Sequence, residues 1–293
     1  MKINGDKLPT CPMTVLVKER ELVVAGELKL KFFPGDTLTG LNGIAVNTKG
    51  EIAVTDNKGH CVYVFDKDGN CSRKIGSMGS SAGKFQYPEG VSFLNDNEVL
   101  IADSCNNRIQ RLNIQTGTVV KIFGKYGQGK GEFGFPIDVN VDEEERIVVS
   151  EWENNRIQVM SKEGEPIFTF GDWGPEKLCK IRSCISFKNM FLVSDGGNYC
   201  IKAFDKSGTF LYKFGKQGNQ DGQFNWPGCL LVDSSDNILV CDYHNNRVQQ
   251  ISLDGRFIGK SITRLPEPAA ITTAPDGRVL VTSVDEKKVY ILK

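Results

Sequence analysis

The stretch Ile101-Ala-Asp103-Ser-Cys-Asn-Asn-Arg108-Ile-Gln-Arg-Leu112 decides the fold, because the chain repeats it. It returns as Val149-Ser-Glu151-Trp-Glu-Asn-Asn-Arg156-Ile-Gln-Val-Met160 and as Val240-Cys-Asp242-Tyr-His-Asn-Asn-Arg247-Val-Gln-Gln-Ile251. Weaker copies begin at Val54, Val193 and Val281. One anchor residue, acidic in all but the last copy, falls at positions 56, 103, 151, 195, 242 and 283, with spacings of 47, 48, 44, 47 and 41. Self-similarity at such a period marks a repeat architecture.

Each copy reads as four short strands. In the second they are expected near Gly90 to Phe93, Glu98 to Ala102, Arg108 to Asn113 and Val119 to Phe123, all rich in β-branched or aliphatic residues and bounded by turn residues. Asp66-Lys-Asp-Gly69, Lys206-Ser-Gly208 and Asp254-Gly255 supply the glycines that tight hairpins need. A second signature, Phe-Gly-x-x-Gly-x-x-x-Gly-x-Phe-x-x-Pro, joins one copy to the next at 123–136 and 214–227, with a close variant at 75–88. Four strands per unit, repeated radially, predict an all-β, six-bladed β-propeller of four-stranded antiparallel blades. The last copy ends on its third strand at Val289 to Leu292, so an N-terminal strand, Leu28-Lys-Leu-Lys-Phe-Phe33, is expected to complete it and close the ring. Residues 28–293 are thus expected to form one propeller domain, and 1–27 a lead-in, in which Met13 to Val17 and Leu22 to Ala25 make an extra hairpin or an extended run.

Composition narrows the class. The 293 residues are 40% hydrophobic and 25% charged, ordinary for a globular chain. Lys plus Arg balance Asp plus Glu at 36 each, so net charge carries no signal for nucleic acid. The nine cysteines are odd in number, form no Cys-x-x-Cys pair and mostly sit in apolar runs. Small buried hydrophobes in a reducing compartment fit that usage, and a cytoplasmic location is expected. Neither a signal-peptide pattern nor an 18-residue apolar run is present, so secretion by a classical signal and a membrane partner are not expected.

These motifs resemble the NHL repeat family over residues 28–293; the Trp-Asp and double-glycine signatures of WD and kelch propellers are missing. Six cysteine-rich repeats are most similar to the C-terminal domain of tripartite-motif (TRIM) NHL proteins of the Brat-like group. That resemblance implies a propeller that binds single-stranded or stem-loop RNA on one face, for post-transcriptional repression of messages. Other members of the family imply a protein-interaction platform, the recruiting arm of a ubiquitin ligase.

The six copies form an internal alignment. Residues that recur are expected to build blades, and residues that break the pattern on loops are candidates for function. By that rule the anchors Asp56, Asp103, Glu151, Asp195 and Asp242 are structural, one per blade, accepting loop N–H groups and pairing with an arginine such as Arg108. The Asn-Asn pairs form loops, and Phe85, Phe133 and Phe224 belong to the core between blades.

The loops joining second to third strands share a face with the connectors, and there the copies differ. After the anchor come Asn57, Ser104, Trp152, Gly196, Tyr243 and Val284; four past it come His60, Asn107, Asn155, Tyr199, Asn246 and Lys287. Ahead of the first strand sit Tyr87, Phe135 and Trp226, each readable as padding between blades or as an exposed contact, with Lys180-Ile-Arg182 in blade four. Lys58 and His244 lie in the loops, and connectors add Lys125, Tyr126, Trp173 and Lys216. With the repeat arginines Arg108, Arg156 and Arg247, these aromatic and basic residues form the candidate RNA-binding set. Rings stack on unpaired bases for roughly 1–3 kcal/mol each while cations neutralise phosphates. Acids on the same face, including Glu132, Glu153, Asp172, Glu176 and Asp221, keep a protein partner open as the alternative. Two histidines, His60 and His244, without a third ligand do not make a zinc site, and no nucleophile elbow or phosphate-cradling glycine loop is present. A binding platform without metal, cofactor or small-molecule substrate is expected, not an enzyme.

Overall fold

The computed structural model describes residues 22–259 and 261–293. These form six four-stranded antiparallel sheets arranged as the blades of a propeller. Blade two shows the pattern: Pro88–Asn95, Glu98–Asp103, Arg108–Asn113 and Val119–Phe123 pair in sequence order, the first innermost. Hairpin glycines take the left-handed backbone expected of them, with φ of 82° at Gly69 and 84° at Gly208 and Gly255.

The six first strands line a narrow central channel of about 50 Å³, contributed by residues such as Asn42, Glu89, Ile137, Arg182, Leu230 and Ala269. Each carries a register shift near its start, between Pro88 and Val91 in blade two and between Pro136 and Asp138 in blade three. Such bulges bend a strand at a rim. Neighbouring inner strands touch there: a Cβ added at Gly90 would lie 2.6 Å from Asp138 Cα. Only glycine permits that approach.

The core lies between blades, in six apolar clusters, one per junction. Ala53, Val62 and Val64 of blade one pack with Val99, Ile101 and Leu112 of blade two around Phe85, which is fully buried. Phe133 and Phe224 hold the same place at the next junctions in which the connector motif recurs. Burying one such ring contributes about 1.5–3 kcal/mol. Cys61, Cys184 and Cys241 are buried in these seams as small apolar residues.

Ring closure comes from the N-terminal side, at a different strand from the expected Leu28 to Phe33. Val24–Leu28 pairs antiparallel with Lys288–Leu292, Leu28 opposite Val289 and Val24 opposite Leu292. Blade six therefore takes its outer strand from residue 24, not 28, and Leu22 to Ala25 runs into that strand; Met13 to Val17, the other half of the expected hairpin, lies outside the described residues. Residues 29–33 serve packing instead. Lys31 N–H donates to Gly69 O and Lys31 O accepts from Cys71 N–H, both at 2.8 Å, while Phe32 sets its edge against Tyr63 and Phe65.

The anchors hold loop, third strand and connector together. Asp103 accepts from the Gln86 backbone N–H (2.7 Å), Asn106 Nδ2 (2.9 Å), Arg108 Nε (2.7 Å) and Gln110 Nε2 (3.0 Å). Arg108 then donates onward to the connector carbonyls of Ser80, Ser81 and Lys84. Glu151 with Arg156 and Asp242 with Arg247 repeat the arrangement, each arginine donating Nε to its anchor at 2.7 and 2.8 Å. This corrects one expectation. Arg108, Arg156 and Arg247 have their guanidinium donors spent inside the protein, and Arg156 and Arg247 are buried, so the three build blades and leave the candidate RNA-binding set.

Removing one partner of a buried ion pair leaves the other uncompensated, at a cost of roughly 3–5 kcal/mol. Asp103→Ala is expected to lower the urea midpoint accordingly, whereas Asp68→Ala, at an exposed turn, is expected to change stability by less than about 0.5 kcal/mol. Equal midpoints for Asp103→Ala and the wild type would refute the anchor role.

Candidate functional site

Backbone hydrogen bonds bring the two variable positions of each blade side by side. Trp152 N–H donates to Phe135 O (3.0 Å), Tyr243 N–H to Trp226 O (3.3 Å) and Val284 N–H to Glu267 O (3.1 Å). The residue ahead of the first strand is left-handed in five blades: φ is 52° at Tyr87, 50° at Phe135, 48° at Lys180, 68° at Trp226 and 45° at Glu267. A non-glycine residue held there costs on the order of 1–3 kcal/mol. A clasp from the preceding blade offsets it. His60 Nδ1 accepts from Tyr87 N–H (3.1 Å), Asn107 Oδ1 from Phe135 N–H (2.9 Å), Asn155 Oδ1 from Lys180 N–H (2.6 Å) and Asn246 Oδ1 from Glu267 N–H (2.9 Å). His60 thus acts as an asparagine substitute, its ring edge-on to Tyr87 at 4.8 Å. Tyr199 breaks the series between blades four and five.

Over blade four the aromatic and basic residues converge. Trp152 of blade three and Trp226 of blade five stand 5.5 Å apart between ring centroids. They meet because the residue between them is Gly196, where an added Cβ would lie 2.8 Å from Lys180 O and 3.7 Å from Trp226 Cε2. Lys180 Nζ and Arg182 Cζ lie 5.0 and 5.8 Å from the Trp152 ring, within cation–π range. His244 extends the patch, 6.1 Å from Trp226 and 5.0 Å from Tyr243. Beside it opens a hollow of about 380 Å³ at the channel mouth, lined by Phe135, Ile137, Trp152 and Arg182 and by the acids Glu89 and Glu153.

The other candidates scatter. Tyr126 and Trp173 are exposed on their connectors, and Lys125 pairs with Glu132 at 3.2 Å. Lys58 and Lys287 are exposed on the loops of blades one and six. Tyr199 and Lys216 line a separate cleft in blade four. Among the described residues, no group of three or more His, Cys, Asp or Glu side chains converges to hold a metal ion.

Sequence reasoning missed the channel acids. Burial pushes the Glu89 carboxyl up to about 7, against the opposing pull of Arg182 and of the Asn57 hydrogen bond. Burial also raises Asp138, opposed by its bond to Ser183. A signal for Glu89 was available: the column one past the connector proline reads Asn42, Glu89, Ile137, Arg182, Gly228 and Ala269, as variable as the loop columns.

A carboxyl raised in the folded state adds stability that is complete below its ordinary value of 4.5 and is lost as pH rises through about 7. Glu89→Gln is therefore expected to gain on the wild type between pH 5 and 8, by up to roughly 3 kcal/mol at the alkaline end. Denaturant melts across that range test it; parallel curves for the two proteins would refute it.

Comparison with known proteins agrees with this architecture. The NHL repeat family matches residues 38–65, 85–112 and 224–251. Protein brain tumor of Drosophila melanogaster is 30% identical over 110 residues, 36% of this chain and 11% of that protein. Protein lin-41 of Caenorhabditis elegans is 42% identical over 50 residues, 17% of this chain and 4% of that protein. The matched region is thus a small part of either relative. Among solved structures, virginiamycin B lyase from Staphylococcus aureus superposes with a TM-score of 0.66 at 15% identity, covering 89% of this chain and 82% of that one. A gluconolactonase from Xanthomonas campestris gives 0.69 at 16% identity, covering 88% and 86%. At such identities the two enzymes share the fold alone. Repeat motif and ring architecture together make this chain a six-bladed β-propeller that carries NHL repeats, similar over part of its length to brain tumor and lin-41.

Proposed function

We propose that the propeller is a cytoplasmic RNA-binding platform that takes a single-stranded segment or stem-loop across the face over blade four, for post-transcriptional repression of messages. One observation carries the reading: Trp152, Trp226, Lys180 and Arg182 meet from three blades, placing stackable rings beside cations. Rings of this kind accept any base, and the adjacent charges meet its phosphate. The similarity to brain tumor and lin-41 supports a macromolecular partner and a non-catalytic role.

A second reading is a protein-interaction platform. It draws on the acids at the same mouth, Glu89 and Glu153, and on Glu267, which accepts from Tyr243 Oη at 2.9 Å. A patch mixed in charge and rich in aromatics also suits a protein surface.

Selection from a random RNA pool at about 0.15 M salt separates the two. An enriched motif or hairpin is the expected result; an unselected pool transfers the face to a protein partner. Against the enriched RNA, Lys180→Ala and Arg182→Ala are each expected to weaken binding and to reduce the salt slope by about 0.7. Trp152→Ala is expected to lose roughly 1–3 kcal/mol with the slope unchanged. Binding unaltered in all three variants would remove the site from this face.

A further inference from the structure

Blade four departs from the repeat at three neighbouring positions. Where blades two, three and five have Asn, Arg and, two residues on, Gln, blade four has Tyr199, Cys200 and Lys202. Its incoming connector is also shorter. Gly171 to Leu178 spans seven positions, where Gly76 to Phe85, Gly124 to Phe133 and Gly215 to Phe224 span nine.

These changes have one physical result. In blades two, three and five an arginine reaches from the anchor to the connector carbonyls and fills the space beneath them. Cys200 is too short to do so. The counter-charge of Asp195 comes instead from Lys202, which lies 3.0 Å from the carboxylate and donates to Glu176 O and Lys177 O at 3.0 and 3.1 Å. The place of the arginine is left as an open cleft of about 520 Å³. That volume falls in the range of roughly 300–1,000 Å³ usual for ligand sites.

Charge identifies the ligand class. Four lysines line the cleft: Lys177, Lys202, Lys213 and Lys216. Lys202 is matched by Asp195 and Lys213 by Glu176 at 2.9 Å, while Lys177 and Lys216 have no ion pair among the described residues and are exposed. The cleft thus carries two uncompensated cations beside the ring of Tyr199, which is not engaged in a clasp.

We propose that this cleft is a second RNA subsite, in which phosphodiester groups of the strand lie between Lys177 and Lys216 and an adjoining base stacks on Tyr199. The subsite rests on the RNA reading of the neighbouring face and extends it, because blade four contributes to both.

The test uses the whole chain and a fluorescent single-stranded RNA of randomised sequence, about 12 nucleotides long, within the ~4–16 spanned by single-strand sites. Affinity is measured across salt for Lys177→Ala/Lys216→Ala, Tyr199→Ala, Tyr199→Phe, Arg182→Ala and, as an off-face control, Lys67→Ala. The double lysine variant is expected to bind roughly tenfold more weakly at about 0.15 M salt and to flatten the slope by about 1.4, two contacts at ~0.7 each. Tyr199→Ala is expected to weaken binding about fivefold or more without changing the slope, with Tyr199→Phe restoring it and Lys67→Ala unchanged. Loss of binding in Arg182→Ala alone would overturn the cleft and leave the mouth reading standing. No binding of RNA by the wild type would overturn both. Tighter capture of a phosphoserine peptide than of RNA by the same lysines would also overturn the proposal, in favour of a modified protein partner.

Discussion

A carboxylate withdrawn from water at the end of a strand must be met by donors on every open side, or it costs several kcal/mol. In five of the six blades that demand organises everything around it. The donors come from the loop, a connector some 17 residues upstream and, in blades two to five, the third strand, as Asp103 shows with Asn106, Gln86 and Arg108. Because one acid needs both, loop and connector are held at the same edge of the blade. Blade six reaches the same geometry without charge, Ser283 Oγ donating to Pro266 O at 2.5 Å. The residues just past each anchor and just ahead of each first strand stand on top of this network, their side chains free to differ because they do not hold the blade.

Much of this was legible because it is written locally. The anchor period, the hairpin glycines and the interblade phenylalanines each depend on residue types at fixed short spacing, and each has its expected place. The misreadings share a different origin. Leu28 to Phe33 alternates as a strand would, yet the same alternation lets Leu30 and Phe32 pack into the seam between blades six and one. Arg108, Arg156 and Arg247 look like phosphate ligands in a loop, but their partners are carbonyls 24 to 28 residues earlier, which no composition reveals. The contact of Trp152 with Trp226 was equally invisible. It depends on the missing side chain of Gly196, in a blade to which neither tryptophan belongs.

Blade four concentrates the departures, and its interior shows how they are tolerated. It gives up the asparagine clasp and the bridging arginine on one edge. Its seam with blade three holds Phe168, Phe170, Phe191, Phe204 and Phe210, with ring centroids 5.0–6.3 Å apart in successive pairs. Rings at such distances contribute about 0.5–1.5 kcal/mol per pair beyond their burial. Apolar packing carries what the polar edge has released. A surface assembled for recognition can then sit on a blade that remains firmly part of the ring.

The pairing of Val24–Leu28 with Lys288–Leu292 has a consequence for how the protein is made. The two strands are about 260 residues apart, so at a ribosomal pace of roughly 5–20 residues per second the earlier one emerges some 13–50 s before its partner exists. Five blades can assemble from neighbouring strands as the chain lengthens. The sixth waits, with Val24–Leu28 unpaired and three strands still inside the ribosome. Closure therefore comes last among the blades, and until it happens the nascent ring exposes a free strand edge that other copies or chaperones can engage.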